Sequence, residues 1–564
     1  MILTSNKEID RYTTTGVWAD KTLVDIFFQN VKNHPERIAL VDPLNKQALV
    51  GLPAQRISYS DLAHKVNALA SALLERGIKK DDIVIVQLPN INELAIVYMA
   101  LARIGAIFSP LPIQWREKEF NYLCDLAKAK AYISLETFAG FNNIEMVRNM
   151  ASKHACLQQI INLDEVNSLC EGEINLAALE AVELDANDVF SLCWSSGTES
   201  NPKGCPMSHN NWLVQVKVLE KALGVWDERC QITLCTAPMV NMTGVAIGLI
   251  SWLFSSGTTV FHHPFDGEVF FEQMKTEGIT TTLLVPALLN MILKHPNVEE
   301  LDLSSVENIL SGSAPPSAWS LEEFKRRWDI DVCCAWGQTE GTAVVSSAKD
   351  VPDAQKRSRC YPNWTVRRDE KPVEGIEMKV VDLATGKALT DVGSIGQLAY
   401  KGPNVFPGYF RRDDISETSF DSDGYFYTGD LFRIEEDGYV SFFDRCKDII
   451  IRGGNNISAQ EIENMLQAHP KVMDVAAVAM PDERLGEAIC VYVVPKDLTS
   501  TLSLLELTDY MRELKIAVYK LPERLEITDA IPRNPVGKIV KPQLRNDVTA
   551  KLKAEGEITE AALA

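Results

Sequence analysis

Between Thr22 and Ala335 the chain alternates amphipathic helical stretches with short, uncharged, β-branched runs, and this alternation narrows the fold more than any other feature. Apolar positions recur at helical spacing over Thr22 to Asn33, Glu93 to Ile104, and Ser60 to Glu75, the last started by Ser60 or Asp61 and closed by Gly77. Set among them are the runs Ile38 to Val41, Ile83 to Leu88, Ala106 to Ser109, Ala131 to Ser134, Ile160 to Leu163 and Val189 to Cys193. Strands apolar along their whole length are buried on both faces, and strands separated by helices pair in parallel. The pattern therefore predicts an α/β protein whose mostly parallel sheet is covered by helices on both sides. Beyond a helix at Asn210 to Leu223, strands are predicted at Gln231 to Ala237, Ile279 to Val285, Val306 to Ser311 and Asp331 to Ala335.

A chain of 564 residues exceeds a single hydrophobic core. The pattern changes near Lys349, and the runs Met378 to Val381, Gly396 to Lys401 and Tyr439 to Phe443 are short and punctuated by turns, which predicts a small antiparallel sheet or barrel over about 375–444. After Asp444 come helix and strand signals of a compact α+β unit. The expected division is a large domain over 1–446 and a smaller, mobile C-terminal domain over 447–564. The stretch Lys356, Arg357, Arg359, Arg367 and Arg368 reads as a solvated surface excursion, with an anion landing place as the sharper alternative.

A formal net charge of −21 excludes a nucleic-acid binder, which needs a basic surface to displace counterions. The uncharged segment Gln231 to Phe265 is broken by Pro238, Asn241, Gly244, Gly248 and Gly257. It leaves Val245 to Phe254 as an apolar helix of about ten residues where roughly twenty would span a bilayer. No signal-peptide core follows Met1, and the scattered cysteines lack metal or redox spacing, so a cytoplasmic protein with buried thiols is expected.

Chemistry concentrates in Ser195-Ser196-Gly197-Thr198-Glu199-Ser200-Asn201-Pro202-Lys203-Gly204, behind the strand ending at Trp194. Glycines here allow close backbone approach, the hydroxyls of Ser195, Ser196 and Thr198 donate, and Lys203 brings a compact positive charge, as a phosphate-gripping loop requires. It is not a Walker A loop, because Pro-Lys-Gly closes it where Gly-Lys-Ser/Thr would open a helix. The turns Gly312-Ser313-Ala314 and Trp336-Gly337-Gln338-Thr339-Glu340 follow other predicted strands and belong at the same carboxyl edge, where open parallel sheets bind ligands.

Taken in order, this loop, Gly337-Gln338-Thr339-Glu340, Tyr427-Thr428-Gly429-Asp430, Asp444-Arg445-Cys446-Lys447-Asp448, Gly453-Gly454-Asn455-Asn456-Ile457 and Pro532-Arg533-Asn534-Pro535-Val536-Gly537-Lys538 resemble the adenylate-forming superfamily, most of all its AMP-forming acyl-CoA synthetases. The resemblance runs from about Asp25 to Lys541. It implies ATP, Mg²⁺ and CoA as ligands and a carboxylic acid as substrate, first joined to AMP and then passed to the CoA thiol.

On this resemblance Ser195, Thr198 and Lys203 hold the β- and γ-phosphates, Glu340 binds Mg²⁺, and Trp336 stacks on adenine with Gly312, Ser313 and Ala314 beside it. Asp430 and Arg445 meet the ribose. Lys538 neutralises the carboxylate as it attacks the α-phosphate, and Lys447 is the hinge that brings Arg452, Gly453 and Gly454 to the pantetheine arm. Val240, Asn241, Met242, Val245, Ile309, Cys334 and Ala335 line the acyl pocket, which lacks a cation and so favours an apolar acid. Asn241 stands where many relatives have His, and Glu199 and Ser200 where they have Thr and Gly. An acyl- or aryl-AMP ligase loading a separate carrier protein shares these motifs. A luciferase-like oxygenase and a nucleotide-binding protein without catalysis are the remaining alternatives, the last disfavoured by the presence of both Glu340 and Lys538.

Overall fold

The computed structural model describes residues 1–195, 201–223, 231–453, 455–482, 484–497, 502–534 and 538–556. They fall into two compact units, one of Met1–Ser195, Asn201–Met378 and Tyr400–Phe426, the other of Lys379–Ala399 and the chain from Tyr427 onward.

The first unit holds two sheets. In the six-stranded one the order is Gly204–Ser208, Val189–Trp194, Ile107–Pro110, Ile83–Gln87, Ala131–Ser134, Gln159–Asn162. All its neighbours are parallel except the first pair. Ile83–Gln87 is buried at every position, the signature of a central strand covered on both faces. The eight-stranded sheet runs Ala343–Ser346, Val332–Gly337, Asn308–Ser311, Thr281–Leu283, Ile232–Cys235, Thr258–Phe261, Ile38–Val41, Arg56–Ser58, antiparallel only at its two edges. The predicted α/β class is thus realised as two sheets.

In the second unit the hairpin Phe426–Ile434 with Tyr439–Arg445 is antiparallel, as is Glu377–Val381 with Ala388–Leu389, and Ile395–Lys401 lies between them in strand order. Further on, Val472–Asp482 and Gly486–Pro495 form a long hairpin buried on both faces. Val475, Ala477, Ile489, Val491 and Val493 pack under Ile462, Leu466, Leu507 and Met511. The alternate residues Ala476, Val478, Cys490, Tyr492 and Val494 pack against Leu544, Val548 and Leu552 of the helix Lys541–Glu555. Period-two alternation thus sorts one apolar run between two helical layers.

Several sequence expectations are corrected. The helix expected from Ser60 is Tyr59–Glu75, because it is Ser58, two residues before Ser60, that accepts the Asp61 N–H and caps it. Val245 to Phe254 is not one regular helix. Met242–Val245 leads into a π-turn at Ala246–Ile250 before Ser251–Ser255. Arg357 is not solvated but 1% exposed, its guanidinium donating to the carbonyls of Val332, Val351 and Pro352 at 2.8–3.1 Å. Among the described residues no helix is long and apolar enough to cross a membrane, and the described cysteines are free thiols, most of them buried.

Candidate active site

The strands flanking the expected phosphate loop pair as a hairpin. Gly204–Ser208 pairs with Val189–Trp194, and at its mouth Ser195 N donates to Lys203 O at 2.9 Å while Lys203 N donates to Ser195 Oγ at 3.2 Å. Ser196, Gly197, Thr198, Glu199 and Ser200 lie outside the described residues. A β-carbon at Gly204 would lie 3.0 Å from both Leu192 Cδ1 and Trp194 Cζ3 and 3.3 Å from Phe410 Cβ. The bare glycine lets Phe410 N reach Gly204 O at 2.9 Å, fastening the segment around Phe406–Phe410 to the strand Gly204–Ser208.

That segment supplies a residue the motifs did not indicate. Tyr409 OH donates to Glu340 Oε1 at 2.9 Å, and Lys203 Nζ stands 4.7 Å from the centre of the Tyr409 ring. Burial, then the Glu340 charge, pushes the phenol well above its ordinary range, so Tyr409 keeps its proton and remains a donor. One aromatic ring therefore carries the expected phosphate lysine on its face and orients the expected metal carboxylate with its hydroxyl. The sequence signal was Phe406-Pro407-Gly408-Tyr409-Phe410, an aromatic-rich turn.

Glu340 sits at the tip of the hairpin joining Val332–Gly337 to Ala343–Ser346. Its carbonyl accepts Phe406 N at 3.0 Å, and Asn404 Nδ2 donates to Gly341 O at 2.8 Å. Among the described residues there is no cluster of three potential metal ligands. A lone, hydrogen-bonded carboxylate fits Mg²⁺, which keeps its waters and binds through one or two carboxylates together with substrate phosphates.

Other expected residues of this unit are placed as follows. Gly312-Ser313-Ala314 turns at the carboxyl end of Asn308–Ser311, with Ser313 and Ala314 exposed and Ser313 at φ +72°, a left-handed conformation unusual for serine. Trp336 is 8% exposed; Gly337 is exposed and Thr339 half-buried. The acyl-pocket set is divided. Ile309 is in register with Val332 and shares a face with Cys334 and Trp336, whereas Ala335 points to the other face. Val240, Met242 and Val245 are buried, and Asn241 Oδ1 accepts Gly244 N at 3.0 Å, capping the helix that begins at Met242.

In the second unit Asp430 and Arg445 are paired across the Phe426–Ile434 hairpin, with Arg445 Nε 4.0 Å from Asp430 Oδ1. Asp430 N donates to Thr428 Oγ1, which itself donates to Leu398 O at 2.7 Å, so the turn carrying the carboxylate is anchored. Lys447 is exposed, and its carbonyl accepts from Arg545 at 3.1 Å. Arg452 pairs with Glu523, and Gly453, at φ +57°, donates to Leu485 O at 2.8 Å. Lys538 is held by a closed turn: its N–H donates to Asn534 Oδ1 at 2.9 Å and its carbonyl accepts Asn534 N at 2.8 Å. Gly454 and Pro535-Val536-Gly537 lie outside the described residues.

Two family models match the sequence. The AMP-binding enzyme family matches residues 27–410, and the AMP-binding enzyme C-terminal domain matches 461–538; the chain belongs to this family. It is 31% identical to the medium-chain fatty-acid–CoA ligase of Escherichia coli (strain K12), over 96% of this chain and 93% of that one. The 2,3-dihydroxybenzoate-AMP ligase of Bacillus subtilis (strain 168) is 30% identical, over 97% of each chain. Among solved structures, ATP-bound MatB from Rhodopseudomonas palustris superposes with a TM-score of 0.80 at 25% identity, covering 94% of this chain and 99% of that one.

Proposed function

We propose that this protein is an AMP-forming ligase that activates an apolar carboxylic acid with ATP and transfers the acyl group to CoA. The observation that carries the reading is the Lys203–Tyr409–Glu340 ladder: a cation and a carboxylate are fixed on one buried ring, and in sequence Lys203 closes a stretch rich in hydroxyls and glycine. Such a pair serves an anionic phosphate chain and the Mg²⁺ that accompanies it.

In the first half-reaction a carboxylate oxygen attacks the α-phosphorus, and the bond to the bridging oxygen breaks to release pyrophosphate. Lys203 and the Ser195 hydroxyl balance the leaving charge, Glu340 would hold Mg²⁺, and Lys538 neutralises the incoming carboxylate. Asp430 accepts hydrogen bonds from the ribose hydroxyls, a task suited to an ionised carboxylate, with Arg445 beside it. In the second half-reaction the CoA thiol loses its proton and attacks the acyl carbon, and the acyl–phosphate bond breaks to release AMP. The segment after Lys447 alternates between the two, presenting Lys538 in the first and Arg452, Gly453 and Gly454 in the second.

A second reading is favoured by the 2,3-dihydroxybenzoate-AMP ligase among the relatives, whose name stops at the adenylate: the acyl group goes to a carrier protein. Acid-dependent exchange of pyrophosphate into ATP over a panel of linear, cyclic and aromatic acids tests the activation step. No exchange with any acid would overturn the function. Thioester formation with CoA alone, against a phosphopantetheinylated carrier, then separates the two acceptors.

A further inference from the structure

The segment Ala237-Pro238-Met239-Val240 leaves the carboxyl end of Ile232–Cys235 and leads into the helix that begins at Met242. It is irregular, so no strand ladder satisfies its backbone. Besides a turn bond from Val240 N to Pro238 O and the Cys235 thiol against Ala237 O, its polar groups are met by two side chains, one from the loop after the strand Ile83–Gln87 and one on the helix Asn92–Arg103. Asn90 Nδ2 donates to Ala237 O at 2.8 Å and Asn90 Oδ1 accepts Met239 N at 3.0 Å, while Tyr98 OH donates to Met239 O at 2.8 Å. Asn90 is 1% exposed and Tyr98 is fully buried, its ring stacked on Phe108 at 4.0 Å. From the other side the helix presses directly on this segment. A β-carbon at Gly244 would collide with the Pro238 carbonyl, and one at Gly248 would lie 2.5 Å from Met239 Sδ and 2.7 Å from Cys235 Sγ.

The element that carries Tyr98 is itself anchored. The helix Asn92–Arg103, which carries Tyr98, begins with Asn92 N donating to Asp42 Oδ1 at 2.8 Å and Asn92 Nδ2 donating to Asp42 Oδ2 at 2.9 Å. Asp42 is in turn fixed by the buried Lys46, which also reaches Glu93. A buried ionic cluster thus sets one end of the helix, and two hydrogen-bonding side chains transmit its position to the backbone of Ala237–Met239.

We propose that Asn90 and Tyr98 are positioning residues for acid recognition: they fix the backbone that presents Val240, Asn241 and Met242 to the substrate. This rests on the ligase reading above and on the 240–242 segment forming part of the acid site. Neither side chain touches substrate. They act by denying the segment the freedom to slide along the sheet edge, so loosening them changes the fit of the acid before it changes ATP binding.

The test measures acid-dependent pyrophosphate exchange by wild type, Tyr98→Phe, Asn90→Asp and Asn90→Ala, with separate KM values for acid and for ATP. Tyr98→Phe keeps the stacked ring and removes one donor. Asn90→Asp keeps the acceptor for Met239 N and sets an oxygen against Ala237 O. Both should raise the acid KM about tenfold, leave the ATP KM within about twofold, and change the preference order across the acid panel. Acid KM and preference unchanged in active variants would overturn the proposal alone, as would losses in proportion to the unfolded fraction by thermal melt. Should both Asn90 variants fail to fold, Tyr98→Phe alone decides by the same criteria. No exchange by the wild-type protein would remove the ligase reading and this one with it.

Discussion

The Tyr409 hydroxyl donates to Glu340 Oε1 at 2.9 Å across two segments distant in sequence, so the orientation of the carboxylate depends on a phenol outside its own hairpin. Tyr409→Phe removes that donor and keeps the ring beneath Lys203. A hydrogen bond to a charged group contributes roughly 1.5–3 kcal/mol, so the Mg²⁺ concentration giving half-maximal pyrophosphate exchange should rise about tenfold or more. The thermal midpoint should move little, because the aromatic packing of Phe406, Tyr409 and Phe426 is retained. An unchanged Mg²⁺ dependence would refute the orienting role.

Lys538 projects from a turn closed by its own backbone through Asn534, so removing the side chain leaves the turn's hydrogen bonds in place. Lys538→Ala should lower pyrophosphate exchange by about 10² to 10³, the usual effect of losing one donor aimed at transition-state charge. Thioester formation from preformed acyl-AMP should stay within a few-fold of wild type. Equal losses in both assays would show that the lysine serves the whole cycle or only the fold.

The limits of what the sequence reveals follow physical lines. Ile83–Gln87 and Val189–Trp194 were legible because a strand buried on both faces must be apolar throughout. Gly204–Ser208 was not, since Pro206 argues against a strand; the structure puts it at a sheet edge, where a missing N–H is tolerated. Arg357 sits in a charged run that reads as solvated, and only the three-dimensional placement of the Val332, Val351 and Pro352 carbonyls explains its burial. Lys203 and Glu340, the expected phosphate lysine and metal carboxylate, could be named from motifs, whereas Tyr409, which joins them, could not. Its contacts with Lys203 and Glu340 are long-range and leave no periodicity. The π-turn at Ala246–Ile250 was hidden for the opposite reason, since a slipped hydrogen-bond register leaves an apolar run looking the same.

The buried cluster of Lys46 with Asp42 and Glu93 makes stability depend on pH in a defined direction. Burial, then the neighbouring Glu93 charge, raises the Asp42 carboxyl to about 6, against the lowering influence of Lys46. A carboxyl raised in the folded state binds more protons there than when unfolded, so its contribution to stability is present at low pH and declines between about 4 and 6. Lys46→Met removes the cation bonded to both carboxylates and should destabilise the fold by roughly 3–5 kcal/mol at neutral pH. Protonation relieves the uncompensated charge, so the difference in thermal midpoint from wild type should be smaller at pH 5 than at pH 8. A difference independent of pH would mean that lost packing, not charge, dominates.

Gly341 offers the sharpest separation of fold from site. At φ +95° it adopts a conformation that L side chains rarely take, and a β-carbon there would collide with the Asn404 carbonyl. The surrounding backbone cannot easily yield, because Asn404 Nδ2 holds Gly341 O at 2.8 Å and Phe406 N holds Glu340 O at 3.0 Å. Gly341→Ala must therefore either strain the turn or push it off the Asn404–Phe406 segment. The first outcome costs roughly 1–3 kcal/mol and lowers the thermal midpoint by several degrees. The second also swings Glu340 away from Tyr409, so the Mg²⁺ requirement should rise as in Tyr409→Phe, and the double variant should then be no worse in Mg²⁺ dependence than either single one. Additive increases would show that Gly341 and Tyr409 act on Glu340 independently, and that the Tyr409 hydrogen bond is not how the turn's geometry reaches the carboxylate.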